Sequence, residues 1–136
     1  MMETLVDTSL LIVDDDANIR IKLREIVERE GIKVVGEADN GQKGLEEVAR
    51  LSPAIVLLDV SMPVMGGFAA ARRLRESHPH IHIIFLSQYS QKIYAEEAVK
   101  LGAAGYVLKS FAVKELPSAI TAVHAGERFI SERVAP

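Results

Sequence analysis

The chain contains no cysteine, no sustained run of lysine and arginine, and no long apolar segment. The lack of cysteine excludes disulfides and thiolate metal sites, as is common for proteins of a reducing cytosol. The net charge of -3 and the missing basic stripe give this chain no electrostatic footprint for nucleic acid. The apolar run near the N-terminus spans about five residues before acids interrupt it, too few for a signal peptide or a membrane span. We therefore expect a cytoplasmic chain that itself binds neither nucleic acid nor membrane.

What the chain does contain is an ordinary globular composition. With 136 residues, 49% of them hydrophobic and 26% charged, it is long enough to bury a core in one domain. No repeat, low-complexity stretch or internal linker interrupts the sequence. We predict a single domain over residues 1–126. The tail over 127–136 is predicted to lack a further element and to be a terminus or the start of a linker.

Short apolar runs alternate with amphipathic segments along the chain. The runs end at polar or turn residues and lack internal alternation, which is typical of strands buried on both faces of a parallel sheet. We predict strands at 9–13, 32–35, 55–58, 81–86 and 106–108, each followed by a helix. The pattern indicates an α/β fold, a doubly wound, five-stranded parallel sheet in the order 2-1-3-4-5 with five helices, as in flavodoxin-like proteins.

Four of the five predicted strands run directly into a polar side chain that is suited to chemistry. These side chains are Asp14 and Asp15 after the first strand, Asp59 after the third, Ser87 after the fourth and Lys109 after the fifth. Parallel strands place these ends at one edge of the sheet, where ligands bind in open α/β folds. Three carboxylates at that edge repel one another and would raise each other's pKa values unless a cation joins them. Mg²⁺ is the natural candidate, because it takes oxygen ligands from one or two carboxylates, waters and phosphate oxygens.

Phosphoryl transfer is the reaction that uses every member of this set. Lys109 supplies a positive charge and Ser87 a hydroxyl donor, and both suit phosphoryl oxygens. Asp59 would attack a phosphorus atom while Mg²⁺ and Lys109 neutralise the charge on the equatorial oxygens. No general base is required, since a carboxylate is already ionised at neutral pH.

Each of these residues also has a structural explanation when it is taken alone. An acidic triplet such as 14–16 commonly caps a helix, and Asp16 keeps that interpretation. A lysine after a strand is often a solvated surface residue, and a strand-end serine often forms a turn. The match among all these strand ends favours a shared site over the separate explanations.

The same residues make the sequence resemble the receiver domain of two-component response regulators, the CheY-like family. The motifs that carry the resemblance are LIVDDD at 11–16, LLDVSMP at 57–63 with MGG at 65–67, FLS at 85–87 and GYVLK at 105–109. The resemblance covers the chain from about residue 9 to 126. It implies that Asp59 accepts a phosphoryl group from a sensor histidine kinase. It also implies that the domain catalyses only its own phosphorylation and dephosphorylation, so that it is not an enzyme with a separate substrate.

Further residue roles follow from the resemblance. Mg²⁺ would be held by four groups: Asp14, Asp15, Asp59 and the backbone carbonyl of Ser61. Asp15 would ligate directly and Asp14 partly through water, while Lys109 and Ser87 would be catalytic. Ser87 would turn to the phosphoryl oxygens and let Tyr106 move inward, which repacks the face of the fourth helix and fifth strand. Such a domain is a two-state switch biased by a local change of charge.

One departure from the family pattern indicates a subgroup. Family members often carry a cis proline after the lysine of the fifth strand, whereas Lys109 is followed here by Ser110. Receivers without that proline resemble those whose output is a LuxR/NarL-type helix-turn-helix domain. Residues 125–131 also look like the linker that begins after such receivers. We therefore expect a DNA-binding output domain in the full-length protein and a homodimer that forms on phosphorylation.

A phosphatase of the haloacid dehalogenase kind is the alternative that shares this chemistry. It too uses an aspartate nucleophile with Mg²⁺, and its first-strand motif sets two aspartates two residues apart, as Asp14 and Asp16 are here. Asp14 would then be the nucleophile. That family also needs a further acidic residue after a late strand, and the late strands here end in Ser87 and Lys109.

Overall fold

The computed structural model describes residues 8–134, in which parallel strands alternate with helices. The strands are β1 (Ser9–Val13), β2 (Lys33–Ala38), β3 (Ile55–Asp59), β4 (His82–Ser87), β5 (Gly105–Leu108) and β6 (Phe129–Ile130). The helices are α1 (Ala17–Arg29), α2 (Gly41–Leu51), α3 (Gly67–Ser77), α4 (Lys92–Lys100) and α5 (Ala112–His124), with a 3₁₀ turn at Lys109–Phe111. None of the helices within 8–134 is long and apolar enough to cross a membrane.

The sheet has the strand order β2-β1-β3-β4-β5-β6, and every pair of neighbours is parallel. Over the first five strands this order confirms the predicted doubly wound, flavodoxin-like fold. Alternate residues of each strand face opposite sides, so Leu11 and Val13 pack under α2, α3 and α4, whereas Leu10 and Ile12 pack under α1 and α5. Every residue of β3 is buried, which explains its unbroken apolar sequence.

The prediction that the tail lacks a further element was wrong. Phe129 and Ile130 form a short sixth strand, in which Ile130 is the partner of Tyr106 on β5. The Ser131 amide donates to the Tyr106 carbonyl at 2.8 Å, and the Ser131 hydroxyl donates to the buried Glu115 carboxylate at 2.6 Å. We call Glu115 and Ser131 the tail anchor. Phe129 and Ile130 are too few to show a hydrophobic period, so the sequence alone does not predict this strand. Its formation depends on the free edge of β5 and on the contact with Glu115 of α5.

Two local features set the entry of the chain into the helices beside the sheet edge. Asp16 caps α1, because its carboxylate accepts from the amides of Asn18 and Ile19 at 2.8 and 3.2 Å, as the sequence predicted. Gly67 begins α3 directly against β3, where a Cβ atom would overlap the carbonyl oxygen of Asp59. Only glycine permits this approach of the helix to the end of the central strand.

Candidate functional site

The structure brings the polar side chains of three strand ends into contact. Asp14 follows β1, Asp59 ends β3 and Lys109 follows β5, and these strands point the same way. The Lys109 ammonium lies 3.0 Å from Oδ2 of Asp14 and 3.1 Å from Oδ2 of Asp59. A single cation therefore faces two carboxylates at the carboxyl edge of the sheet.

Burial divides the three aspartates into two kinds. Asp14 is fully buried and Asp59 is 2% exposed, whereas Asp15 is exposed to solvent. One carboxylate oxygen from each of the three lies within 4.8 Å of the other two. This clustering of hard oxygen ligands fits a divalent cation such as Mg²⁺, which binds through one or two carboxylates and otherwise through water and phosphate oxygens.

Hydrogen bonds hold the amide, the carboxylate and the carbonyl of Asp14. Its amide donates to the Ala38 carbonyl at 3.0 Å, and its Oδ1 accepts from the Asp16 amide at 2.9 Å. Its own backbone carbonyl accepts from Nη1 of Arg20 at 2.7 Å. None of the residues 8–134 donates a hydrogen bond to the Asp15 carboxylate. The acidic turn thus combines a rigid buried carboxylate with an adjacent carboxylate that is available to a ligand.

The electrostatics of the cluster are unbalanced around Asp59. Burial, and then the charge of Asp14, raise the pKa of Asp59 from its ordinary 3.8 to about 6, although Lys109 and the Ser61 amide act in the opposite direction. Burial alone would lower the pKa of Lys109, but hydrogen bonds and charge from Asp14 and Asp59 outweigh it and raise that pKa. The lysine therefore stays protonated at neutral pH.

The two Oδ2 atoms provide an independent sign that a cation fits here. Both are buried, and among the described residues the Lys109 ammonium is the one group with a proton to offer them. One positive charge cannot neutralise two buried carboxylates in addition to Asp15. A divalent ion between these residues would remove the repulsion and supply the missing partner.

A cavity of about 300 Å³ opens above the cluster. Its lining comprises Asp15, Asp16, Ile19, Asp59, Val60, Ser61, Gln88 and Lys109. Asp59 lines this space and Asp14 does not, so Asp59 is the one of these two buried carboxylates that an incoming group can reach. Sequence reasoning did not place Gln88 or Ile19 in the site. Their only sequence signal is proximity, because Gln88 follows Ser87 and Ile19 lies one turn after the acidic triplet.

Ser87 and Tyr106 meet at the backbone of one residue, Tyr89. The Ser87 hydroxyl is buried and accepts from the Tyr89 amide at 2.9 Å, while the Tyr106 hydroxyl donates to the Tyr89 carbonyl at 2.6 Å. Tyr106 is fully buried, and this burial raises the pKa of its phenol. The structure therefore places the Tyr106 side chain inside the protein, and its role in a switch stays a prediction.

Ser61 also lines the cavity. Its amide donates to Oδ1 of Asp59 at 3.3 Å, and its hydroxyl donates to the Tyr89 hydroxyl at 3.2 Å. The first contact turns the backbone after β3 around the Asp59 carboxylate. Ser61 is thereby adjacent to the acidic cluster, and the role of its carbonyl as a metal ligand stays a prediction.

Comparison with known proteins identifies the family of the chain. The profile of the response regulator receiver domain matches residues 10–121. The response regulator GacA of Pseudomonas viridiflava is 37% identical over 127 residues, which are 93% of this chain and 59% of that protein. UvrY of Escherichia coli K12 is 37% identical over 128 residues, again 93% of this chain and 59% of the relative. The chain thus spans less than two thirds of the length of these relatives.

Solved structures give the same result. A LuxR-family two-component response regulator from Aurantimonas sp. SI85-9A1 superposes with a TM-score of 0.90 at 32% identity, covering 97% of this chain and 93% of that one. The isolated receiver domain of RcsB from Salmonella enterica serovar Typhimurium, solved with the phosphomimetic BeF₃⁻, gives a TM-score of 0.87 at 26% identity, covering 93% of this chain and 95% of that one.

These similarities bear on the two interpretations of the acidic residues. The relatives above are response regulators, so the haloacid dehalogenase alternative with Asp14 as nucleophile finds no support. The geometry agrees, because the cavity reaches Asp59 and not Asp14. Proteins of the matched family act as regulatory receivers and not as turnover enzymes. The chain belongs to the response regulator receiver domain family of two-component signal transduction.

Proposed function

We propose that Asp59 accepts a phosphoryl group from the phosphohistidine of a sensor histidine kinase and thereby switches the domain between two states. Receivers of this family interact with histidine kinases and bind Mg²⁺. The observation that carries the proposal is the Lys109 ammonium, which lies about equally far from Asp14 and Asp59 beneath an open cavity. This arrangement suits a phosphoryl group on Asp59 whose negative charge is neutralised by Lys109 and by a divalent cation.

The transfer needs no general base. An ionised carboxylate oxygen of Asp59 attacks the phosphorus atom and forms a P–O bond, while the P–N bond to the kinase histidine breaks. The electron pair of that bond remains on the imidazole nitrogen. The product on this chain is an acyl phosphate, which water later hydrolyses to regenerate Asp59 and inorganic phosphate. Both reactions act on the chain's own side chain, so the domain has no separate substrate to turn over.

The neighbouring groups stabilise the negative charge that develops on the phosphoryl oxygens. Lys109 is already protonated and within 3.1 Å of Asp59, and Ser87 has a buried hydroxyl at the end of the adjacent strand. Mg²⁺, held by Asp14, Asp15, Asp59 and the Ser61 carbonyl, would supply two further positive charges to the same oxygens. Burial and the neighbouring charge of Asp14 raise the pKa of Asp59, and a cation at this position would act in the opposite direction.

The Tyr89 backbone couples the pocket to the α4 and β5 face. A Ser87 hydroxyl that turned to a phosphoryl oxygen would release the Tyr89 amide, and the carbonyl of Tyr89 holds the Tyr106 hydroxyl. A change at Ser87 would therefore alter the packing of Tyr106 against helix α4. This linkage is the basis on which we assign the switch to Ser87 and Tyr106.

The relatives support a DNA-binding output for the switch. The RcsB response regulator has been solved as a complex with DNA and as two dimers bound to two parallel DNAs. We propose that residues 127–136 begin a linker to a DNA-binding output domain in the full-length protein, and that phosphorylation promotes a homodimer. Contact with DNA would then be made by the output domain and not by this one.

The test is phosphorylation of the purified chain by acetyl phosphate with Mg²⁺, followed on a phosphate-affinity gel. The wild type is expected to show a retarded band, and Asp59→Asn is expected to show none. Asp39→Asn is the matched control, because Asp39 is an exposed carboxylate outside the cluster. Retardation of Asp59→Asn to the wild-type extent would refute the assignment of the phosphoacceptor.

A further inference from the structure

Two arginines of α1 share one acidic partner on β2. Nε of Arg20 lies 3.0 Å from Oε1 of Glu37, and Arg24 donates to Oε2 of Glu37 from Nε at 2.9 Å and from Nη2 at 2.8 Å. Only Arg20 also reaches the acidic site, where its Nη1 donates to the Asp14 carbonyl at 2.7 Å. Arg24 instead reaches Glu28 on its own helix, with Nη1 3.4 Å from Oε2 of Glu28. The two residues thus share their charge and their partner Glu37, and only Arg20 contacts the backbone of the acidic site.

We propose that Arg20 is a positioning residue for the divalent-cation site, acting through the backbone of Asp14. The inference rests on the proposed function, because it concerns the same acidic cluster. No contact between Arg20 and a carboxylate of the cluster is required. Arg20 fixes the peptide that joins Asp14 to Asp15, and this peptide sets the directions in which the two side chains point.

The geometry of the guanidinium suits this role. Its planar fork presents Nε to Glu37 and Nη1 to the Asp14 carbonyl from two nitrogens in a fixed geometry, whereas a lysine would have to reach both acceptors from one nitrogen at the end of a flexible side chain. The Arg20 side chain is 20% exposed, compared with 37% for Arg24. The contact to the Asp14 carbonyl is therefore the more shielded of the two arginine interactions.

The acidic turn needs such support because its two carboxylates must point in different directions. Asp14 points into the protein toward Lys109, while the next residue, Asp15, is exposed at the cavity. The Asp14 amide is tied to β2 through the Ala38 carbonyl, and Arg20 ties the carbonyl end of the same residue. Without Arg20, the plane of the Asp14–Asp15 peptide could turn, and the carboxylates of Asp14 and Asp15 could move apart. Groups that orient metal ligands in this way typically contribute about 10- to 100-fold to metal affinity.

Charge and positioning predict opposite signs for removal of Arg20. Loss of a positive charge near a divalent cation reduces repulsion, so electrostatics alone would tighten Mg²⁺ binding in both Arg20→Gln and Arg24→Gln. Loss of the positioning contact would weaken binding in Arg20→Gln only. The direction of the change in affinity therefore separates the two explanations.

The experiment measures the apparent Mg²⁺ Kd of the wild type and both variants from the rise of the thermal midpoint with Mg²⁺ concentration. We expect Arg20→Gln to raise the Kd by about 10-fold or more, and Arg24→Gln to stay within about twofold of the wild type. Amide chemical shifts of Asp15 and Asp59 during the same titration give a second reading at the site. Arg20→Lys, which keeps the charge and one donor, is expected to fall between the wild type and Arg20→Gln.

Acetyl phosphate labelling separates this inference from the proposed function. We expect Arg20→Gln to be labelled slowly at low Mg²⁺ and at nearly the wild-type rate when Mg²⁺ is saturating, because the reacting groups are intact. If both variants bind Mg²⁺ equally well or more tightly than the wild type, the inference is overturned while the proposed function stands. If the wild type itself is not labelled at saturating Mg²⁺, the proposed function fails, and the inference fails with it. Should Arg20→Gln not fold, Arg20→Lys with an unchanged Kd would overturn the inference.

Discussion

Two buried clusters in this domain contain carboxylates, and they are connected differently. In the acidic site, Asp14 and Asp59 share one ammonium, and Oδ2 of each has no other proton donor within residues 8–134. In the tail anchor, the buried Glu115 accepts a 2.6 Å hydrogen bond from Ser131, whose hydroxyl also accepts from the Arg133 amide at 3.3 Å. The Asp59 carboxylate lines a cavity of about 300 Å³, whereas Glu115 of the second cluster lines neither that cavity nor the groove of about 540 Å³ that Ser131 borders between α4 and the tail.

The difference separates a binding site from a structural contact. Burying a charged group is unfavourable unless hydrogen bonds or an opposite charge compensate it. The acidic site retains an uncompensated negative charge that a divalent cation can neutralise, and burial together with the charge of Asp14 raises the pKa of Asp59. The tail anchor pairs its carboxylate with a hydroxyl from its own chain, so this contact holds the tail against α5.

The largest effect is expected when the shared cation is removed by Lys109→Gln. Without the ammonium, the charge on the transferring phosphoryl group loses a preorganised partner, and labelling by acetyl phosphate should slow by roughly 100-fold. Lys43→Gln is the matched control, because Lys43 is an exposed lysine that pairs with Asp39. The measurement is the initial labelling rate at saturating Mg²⁺. A rate for Lys109→Gln equal to that of the control would contradict a role of Lys109 in phosphoryl transfer.

Asp59→Asn is expected to stabilise the fold without Mg²⁺, in contrast to most substitutions of buried residues. The folded-state pKa of Asp59 is about 6, above its ordinary 3.8, so the folded state binds more protons than the unfolded state between these values. Ionised Asp59 therefore destabilises the fold fully above about pH 6 and not at all below about pH 4. Urea unfolding at pH 7.5 should show a gain of about 1–3 kcal/mol for the variant, which disappears at pH 4. A gain that is the same at both pH values would mean that charge is not its cause.

The tail anchor should respond in the opposite direction. Ser131→Ala removes the donor to Glu115 and leaves a buried carboxylate unpaired, which we expect to lower the free energy of unfolding by about 2 kcal/mol. Ser118→Ala on the exposed side of α5 is the control. Amide hydrogen exchange at Ser131 and Arg133 should accelerate in Ser131→Ala without a comparable change at Asp59. Unchanged exchange in the tail would show that the strand pairing, and not the side chain, holds β6.

The smallest effect is expected for Asp16→Ala, which tests whether the acidic triplet is functionally uniform. Asp16 caps α1 through its carboxylate, and loss of a cap typically lowers stability by about 1 kcal/mol. Labelling of Asp59 should stay within about threefold of the wild type, since the contact of Asp16 to Asp14 is made by its backbone amide. A loss of labelling as large as that of Lys109→Gln would place Asp16 among the functional residues.

The sequence was sufficient for the fold and for which strand ends converge, because both follow from parallel strands that are buried on each face. Asp14, Asp59 and Lys109 could be placed together from their positions after predicted strands alone. The sixth strand could not, since Phe129 and Ile130 are too few to show a period. The hydrogen bond of the Tyr106 hydroxyl to the Tyr89 carbonyl was equally hidden, because it joins β5 to the loop after β4. The contact of Arg20 with the Asp14 carbonyl escaped for a similar reason, since Arg20 belongs to the polar face of an amphipathic helix.

The close approach of Gly67 to β3 makes the α3 side of the site more tightly packed than the side formed by the chain after β4. The start of α3 rests on the backbone of Asp59, and the Gly67 amide donates to the Val60 carbonyl at 2.9 Å, so this junction has no slack. Across the site, the chain after β4 is held by single side-chain contacts at Ser61, Ser87 and Tyr106. We therefore expect a displacement of the groups around a phosphorylated Asp59 to be directed toward α4 and β5. We expect Gly67 to set this direction, because its contact with β3 prevents a displacement toward α3.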